Sequence, residues 1–109
     1  MCIRDRNNYL KGTVTTGGSR VLENIEADHS SELVKRKIEA GLNIFGKTNS
    51  PELGLTVTTE PVMYGPSRNP WDLDRSPGGS SGGASAAVAS GIIPMAQASD
   101  GGGLSLIHI

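Results

Sequence analysis

An α/β layout is what the sequence predicts, and two observations carry it. A helical pattern over residues 28–40 passes through Gly41 into a short apolar run at residues 42–45. The same order returns later, with a small-residue helix at 84–90, Gly91 and an apolar run at 92–98. Helix, tight turn and strand in succession is the order of an α/β chain. At 109 residues the chain has room for one small domain at most.

Each element has a local cause. Residues 7–20 are polar and threonine-rich, with Gly12 and the Gly17-Gly18 pair, and read as loop. Asp28 is a good N-cap for the first helix and Glu32 sits in its first turn. Lys35, Arg36 and Lys37 crowd its last turns, a polarity that suits the helix dipole. Leu33, Val34, Ile38 and Leu42 form the expected buried stripe, and Gly41 is the expected stop. The strand at 42–45 should end at Gly46. Residues 50–76 carry Pro51, Pro61, Pro66 and Pro70, with Pro77 just beyond, and read as an ordered loop packed around Tyr64 and Trp71. The run Pro77-Gly78-Gly79-Ser80-Ser81-Gly82-Gly83 is a small-residue turn that opens the second helix, which Gly91 ends. The strand at 92–98 should be buried and interrupted near its start by Pro94.

Composition excludes several classes. A net charge of −1 leaves no polybasic surface for nucleic acid. No apolar run approaches the roughly 20 residues of a membrane span. The N-terminus lacks a signal-peptide layout. The single cysteine, Cys2, rules out an intramolecular disulfide, and no Cys, His and carboxylate cluster has metal-ligand spacing.

The two ends look unrelated as peptides but can share one source at the DNA level. ATG TGT ATA AGA GAC AG encodes Met1-Cys2-Ile3-Arg4-Asp5 and opens the next codon. Its reverse complement, CTG TCT CTT ATA CAC AT, encodes Leu104-Ser105-Leu106-Ile107-His108 and opens the codon of Ile109. One element in inverted orientation, similar to the transposon end used to tag sequencing libraries, accounts for both. Residues 1–6 and 104–109 are therefore expected to be adapter-derived and are set aside from fold reasoning, leaving 7–103 as a partial domain. Without Arg4, Asp5 and Arg6, the ten basic and eleven acidic residues fall to eight and ten, a net of −2.

Chemistry concentrates in two glycine-rich turns, residues 77–83 and 99–103, with one helix and one strand between them. Glycine lets backbone N–H groups approach a bound group closely, and a helix N-terminus adds a positive dipole end. The residues alone read equally as an anion or oxyanion pocket and as a close helix–sheet contact. A phosphate loop is disfavoured, because neither turn ends in Gly-Lys-Ser/Thr and no Gly-x-Gly-x-x-Gly lies in a strand–helix turn.

Four motifs in order resemble the amidase signature family: Gly46-Lys47-Thr48-Asn49, Arg68-Asn69-Pro70-Trp71, Ser76-Pro77-Gly78-Gly79-Ser80-Ser81-Gly82-Gly83 and Ala98-Ser99-Asp100-Gly101-Gly102-Gly103. The resemblance covers essentially all of residues 7–103. It implies a mixed sheet flanked by helices and cofactor-free hydrolysis of a small-molecule amide through an acyl-enzyme. In that family a nucleophilic serine attacks the carbonyl. A second serine, preceded by a cis peptide bond, relays its proton to a lysine kept neutral by burial. Ser80 matches the relay serine, so a cis Gly79–Ser80 bond is expected. Gly101, Gly102 and Gly103 match the oxyanion-hole glycines. Gly79 and Ser81 support the turn, and Gly54, Leu55 and Thr56 match a stretch that lines the acyl pocket.

Two triad members fall outside the match. The nucleophile directly follows the last glycine, where this sequence has Leu104. Ser105 lies one place too late, which reverses side-chain direction on a strand or turn. The catalytic lysine belongs to a Lys-Asp pair that falls near Asp5. Lys47 reads as structural, Lys11 follows the expected place of the base, His29 reads as a surface residue and Asp100 as a turn anchor. The chain as written is thus expected to be an inactive fragment of an amidase. A non-catalytic anion-binding module and a genuine short structural protein are the alternatives. The stretch 56–65 resembles free-standing amidases more than amidotransferase subunits. The particular amide and the oligomeric state are left open. So is the compartment, with the cytoplasm as the default.

Overall fold

The structure is a computed structural model that describes the backbone of residues 2–4 and all of residues 8–100. Four regular elements appear: β1 (Cys2–Arg4), α1 (Glu32–Glu39), β2 (Gly46–Thr48) and α2 (Gly82–Ala89). Strands β1 and β2 pair in parallel, Cys2 opposite Gly46 and Arg4 opposite Thr48, and α2 packs against both. The α/β class expected from the sequence is present in this small form. β1 lies in the segment set aside as adapter-derived.

The first helix starts later than its sequence suggests. Its N-cap position is Ser31 rather than Asp28. The cause is that residues 27–31 spend their backbone groups on the preceding loop. Gly12 N donates to Ala27 O at 2.9 Å, Ala27 N to Thr13 O at 3.0 Å and Ser31 N to Tyr9 O at 2.9 Å. Backbone committed to a cross-chain ladder cannot also wind into a helix. Asp28 instead meets His29 Nδ1 at 2.5 Å, and that neighbour holds its carboxyl below the usual aspartate value.

The helix ends where expected. Gly41 takes φ +81°, its N–H bonds Ile38 O at 2.9 Å, and Leu42 N bonds Lys37 O at 3.0 Å. These two bonds and the left-handed residue make a Schellman stop. The apolar stripe is narrower than expected: Val34 is fully buried, but Leu33 and Ile38 stand about half exposed. Lys37 reaches Gln97 across the molecule.

Both expected strands are corrected. Residues 42–45 are irregular, and Gly46 begins β2 instead of ending a strand. The pairing marks this position, because among the described residues Cys2, Ile3 and Arg4 of β1 lie opposite Gly46, Lys47 and Thr48. Residues 92–98 form no strand, only an isolated bridge at Ala96. Pro94 has no N–H to donate, and among the described residues no third strand lies alongside. Ile93 alone of that run is buried.

The interior is polar. Among the described residues the buried apolar side chains are Ala27, Val34, Ala84 and Ile93 with Pro51 and Pro61, while Asn8, Thr15, Thr16, Ser19, Thr48, Ser50 and Thr59 are buried with them. The long loop is ordered by hydrogen bonds more than by aromatic packing. Trp71 is 84% exposed, against expectation. Tyr64 touches the interior through its hydroxyl, 3.0 Å from Thr16 Oγ1. Asn49 Nδ2 donates to Gly65 O and Ser67 Oγ, each at 3.1 Å. Ser19 Oγ donates to Glu52 Oε1 at 2.5 Å, and Leu53 N to Gly17 O at 2.7 Å. Among the described residues no helix is long and apolar enough to cross a membrane.

Candidate active site

The site is built where α2 begins. The helix starts at Gly82, two residues earlier than the sequence suggests, so Gly82 and Gly83 form its first turn. Both glycines are set by crowding. A Cβ on Gly82 would run into the Thr59 side chain, and one on Gly83 would meet the backbone of Asn49. Gly79 is pressed as hard, since its Cβ would sit 2.7 Å from the Thr58 carbonyl. Three loops, around Asn49, Thr58 and Gly79, thus converge on one end of one helix.

The peptide bond between Gly79 and Ser80 is cis. Ser80 is half-buried at the middle of this turn. Thr59, fully buried, donates from Oγ1 to Gly78 O at 3.0 Å and accepts from Gly82 N at 3.1 Å. Ser81 occupies the N-cap position of α2 without capping it. Its hydroxyl turns to the second glycine-rich segment, donating to Ser99 O at 3.2 Å and accepting from Ser99 N at 3.0 Å. Ser85 Oγ donates back to Ser81 O at 3.2 Å. A cavity of about 400 Å³ opens between the two segments, lined by Gly78, Gly79, Ser81, Ser85, Ser99 and Asp100 among others. Ser80 is not among the residues lining it.

The remaining candidates fall into three groups. Gly101, Gly102 and Gly103, with Leu104 and Ser105, lie outside the described residues. Gly54 is buried in a short 3-10 turn (Glu52–Gly54), whereas Leu55 and Thr56 are exposed and do not line the 400 Å³ cavity. Thr56 Oγ1 bonds Thr58 O at 3.0 Å, which ties this stretch to the residue beneath Gly79. Lys47 Nζ donates to Val14 O and Thr15 Oγ1, each at 2.7 Å, and cross-links β2 to the N-terminal loop. His29 is exposed, with its ring 5.3 Å from that of Tyr9. Among the described residues no group of three His, Cys, Asp or Glu could hold a metal.

Sequence reasoning missed Thr59, because nothing local distinguishes it from its neighbours Thr56 and Thr58. It also missed a second cleft of about 360 Å³ lined by Val14, Lys47, Thr48, Asn49 and Tyr64. There Thr48 Oγ1 and Asn49 Oδ1 are buried without a hydrogen-bond partner among the described residues.

Known proteins share both sequence and fold with this chain. The chain is 46% identical over 103 residues to a glutamyl-tRNA(Gln) amidotransferase subunit of Sulfurisphaera tokodaii, covering 94% of this chain and 22% of that protein. It is 43% identical over 103 residues to the 6-aminohexanoate-cyclic-dimer hydrolase of Paenarthrobacter ureafaciens, covering 93% of this chain and 21% of that protein. A solved structure of 6-aminohexanoate cyclic dimer hydrolase superposes with a TM-score of 0.90 at 42% identity, over 94% of this chain and 22% of that one. The chain thus spans about a fifth of the length of these relatives. A hydrolase and an amidotransferase match it about equally well, so this stretch does not separate the two. The family profile described as Amidase matches residues 1–104, and the chain belongs to the amidase signature family.

Proposed function

We propose that this chain is part of an enzyme that hydrolyses the carbon–nitrogen bond of a linear amide through an acyl-enzyme, with Ser80 as the relay serine. The supporting observation is the Ser81–Ser99 tie, which brings Ser99 and Asp100, the start of the second glycine-rich segment, against the turn that carries Ser80. A relay serine in the first segment can then serve a carbonyl held by the N–H groups of the second.

In this reading the nucleophile is a serine directly after Gly103, at the position Leu104 holds here. Its Oγ forms a bond to the carbonyl carbon while its proton passes to Ser80 Oγ, and the Ser80 proton passes to a neutral lysine. The oxyanion is met by backbone N–H groups of Gly101, Gly102 and Gly103. The C–N bond breaks as the departing nitrogen takes up the proton, and water then releases the acyl group by the reverse relay. Neither the nucleophile nor the lysine is present at its matching place, so the 109-residue chain is proposed to be inactive. The substrate is a small carboxylic amide. The parent fold is a mixed sheet flanked by helices, to which β2 and α2 belong.

The test begins with the source DNA, read across both ends of the segment. A serine codon after Gly103 and a Lys-Asp pair before Asn7 are expected. The longer gene product is then assayed on a panel of amides beside its Ser80→Ala variant. Loss of a relay group should lower kcat by about 10²- to 10⁴-fold. Unchanged turnover in Ser80→Ala would remove Ser80 from the mechanism. Binding of inorganic phosphate with no cleavage of any amide would favour the non-catalytic anion module.

A further inference from the structure

We propose that Thr59 is a positioning residue for the Ser80 turn, acting as a helix cap supplied from elsewhere in the chain. The inference rests on the reading of Ser80 as the relay serine.

The first N–H groups of a helix have no partner within it and are usually met by the N-cap side chain. In α2 that side chain belongs to Ser81, which makes no capping bond because it is engaged with Ser99. The N–H of Gly82, first residue of the helix, is taken by Thr59 Oγ1 at 3.1 Å. The same hydroxyl donates its proton to Gly78 O at 3.0 Å. One hydroxyl therefore fills its donor role and an acceptor role on either side of the segment that carries Ser80.

Thr59 is itself held firmly. It has no exposed surface, and its carbonyl accepts from Ser67 N at 2.9 Å. The absence of a side chain on Gly82 leaves room for the threonine Cβ, which would lie 2.8 Å from any Cβ placed there. The neighbouring Thr58 backbone lies directly under Gly79. The turn can neither open, since its two ends share one hydroxyl, nor sink, since Thr58 is beneath it. Thr59 touches no reacting atom in this arrangement. It fixes where the Ser80 hydroxyl stands relative to its proton donor and acceptor, and such placement is worth about 10²-fold in rate per ångström.

The test uses the longer gene product with Thr59→Val and Thr59→Ser, alongside Ser80→Ala. Valine keeps the shape and removes both bonds; serine keeps both bonds and removes a methyl. Expected are a fall in kcat of about 10- to 100-fold for Thr59→Val, a KM within about threefold of the parent, and recovery of most of the lost kcat in Thr59→Ser. A general loss of packing would move both variants together and would not be rescued by serine. Thr59→Val that folds and keeps its kcat overturns the proposal. If Thr59→Val does not fold, Thr59→Ser decides alone: a folded serine variant with a more than tenfold lower kcat overturns the proposal, and one that keeps its kcat upholds it. Ser80→Ala separates the two levels. Full activity there removes the relay reading itself, whereas an inactive Ser80→Ala beside an unaffected Thr59→Val removes only the role of Thr59.

Discussion

Glycines stop both described helices and also open α2, for opposite reasons. Gly41 and Gly91, which stop α1 and α2, have φ of +81° and +74°, and a Cβ built on either would meet nothing within 4 Å. Gly79, Gly82 and Gly83, which build the candidate site, need no left-handed backbone, yet a Cβ on any of them would strike Thr58, Thr59 or Asn49. The stops use glycine for its freedom of backbone angle. At Gly79, Gly82 and Gly83 the site uses it for the room it leaves, while Gly78, at φ +81° in open space, resembles the stops. A stop is a local solution that any helix can adopt, whereas a crowded glycine records which distant loops have been brought against it.

This difference can be broken by one substitution of each kind, measured as unfolding free energy in the longer gene product. Gly83→Ala should have the larger effect, because the added methyl meets main chain that cannot rotate away. Overpacking of this sort costs up to about 3 kcal/mol, and the shift in Asn49 should also disturb the bonds from Asn49 Nδ2 to Gly65 and Ser67. Gly41→Ala should cost only about 1 kcal/mol, the strain of an L-residue in the left-handed region. Equal losses at the two positions would mean that crowding at Gly83 relaxes away. A larger loss at Gly41 would reverse the distinction.

The same contrast separates what the sequence reveals from what it hides. The end of α1 is legible because the Schellman stop depends on Gly41 and its immediate neighbours. The start is not, because the commitment of Ala27 and Ser31 to Thr13 and Tyr9 is invisible locally and Asp28 is a sound N-cap on its own terms. The position of β2 fails for a related reason: it is marked by pairing with Cys2–Arg4, not by the apolar run before it. Residues 92–98 have strand composition, but among the described residues no strand of the sheet lies beside them. At the site, Ser80, Ser81 and the glycines could be picked out by likeness to a family motif, while composition alone left them as a small-residue turn. Thr59 carries no local mark, since its two hydroxyl bonds go to residues 19 and 23 positions further on. Trp71 misleads in the other direction, as a large aromatic side chain that the described residues leave exposed.

The smallest effect concerns Lys37, at the far side of the comparison from the crowded turn. It belongs to the last turn of α1, where the dipole favours a cation, yet partial burial beside Gln97 pushes its amine below the ordinary lysine value. The sign follows from proton counting. Between the lowered folded value and the ordinary unfolded value, the unfolded chain binds more protons than the folded one, so stability rises with pH across that alkaline window. Below the folded value both states hold the proton and the group contributes no slope. Lys37→Met keeps the stem and removes the titration, so it should abolish that rise while changing stability little at neutral pH. Unfolding curves for parent and variant at several pH values from neutral to the lysine range measure the difference. A gap between the two that stays constant up to the lysine range would show that the amine reaches enough water to escape the burial, and that the face between α1 and Gln97 is looser than the face beneath Ser80.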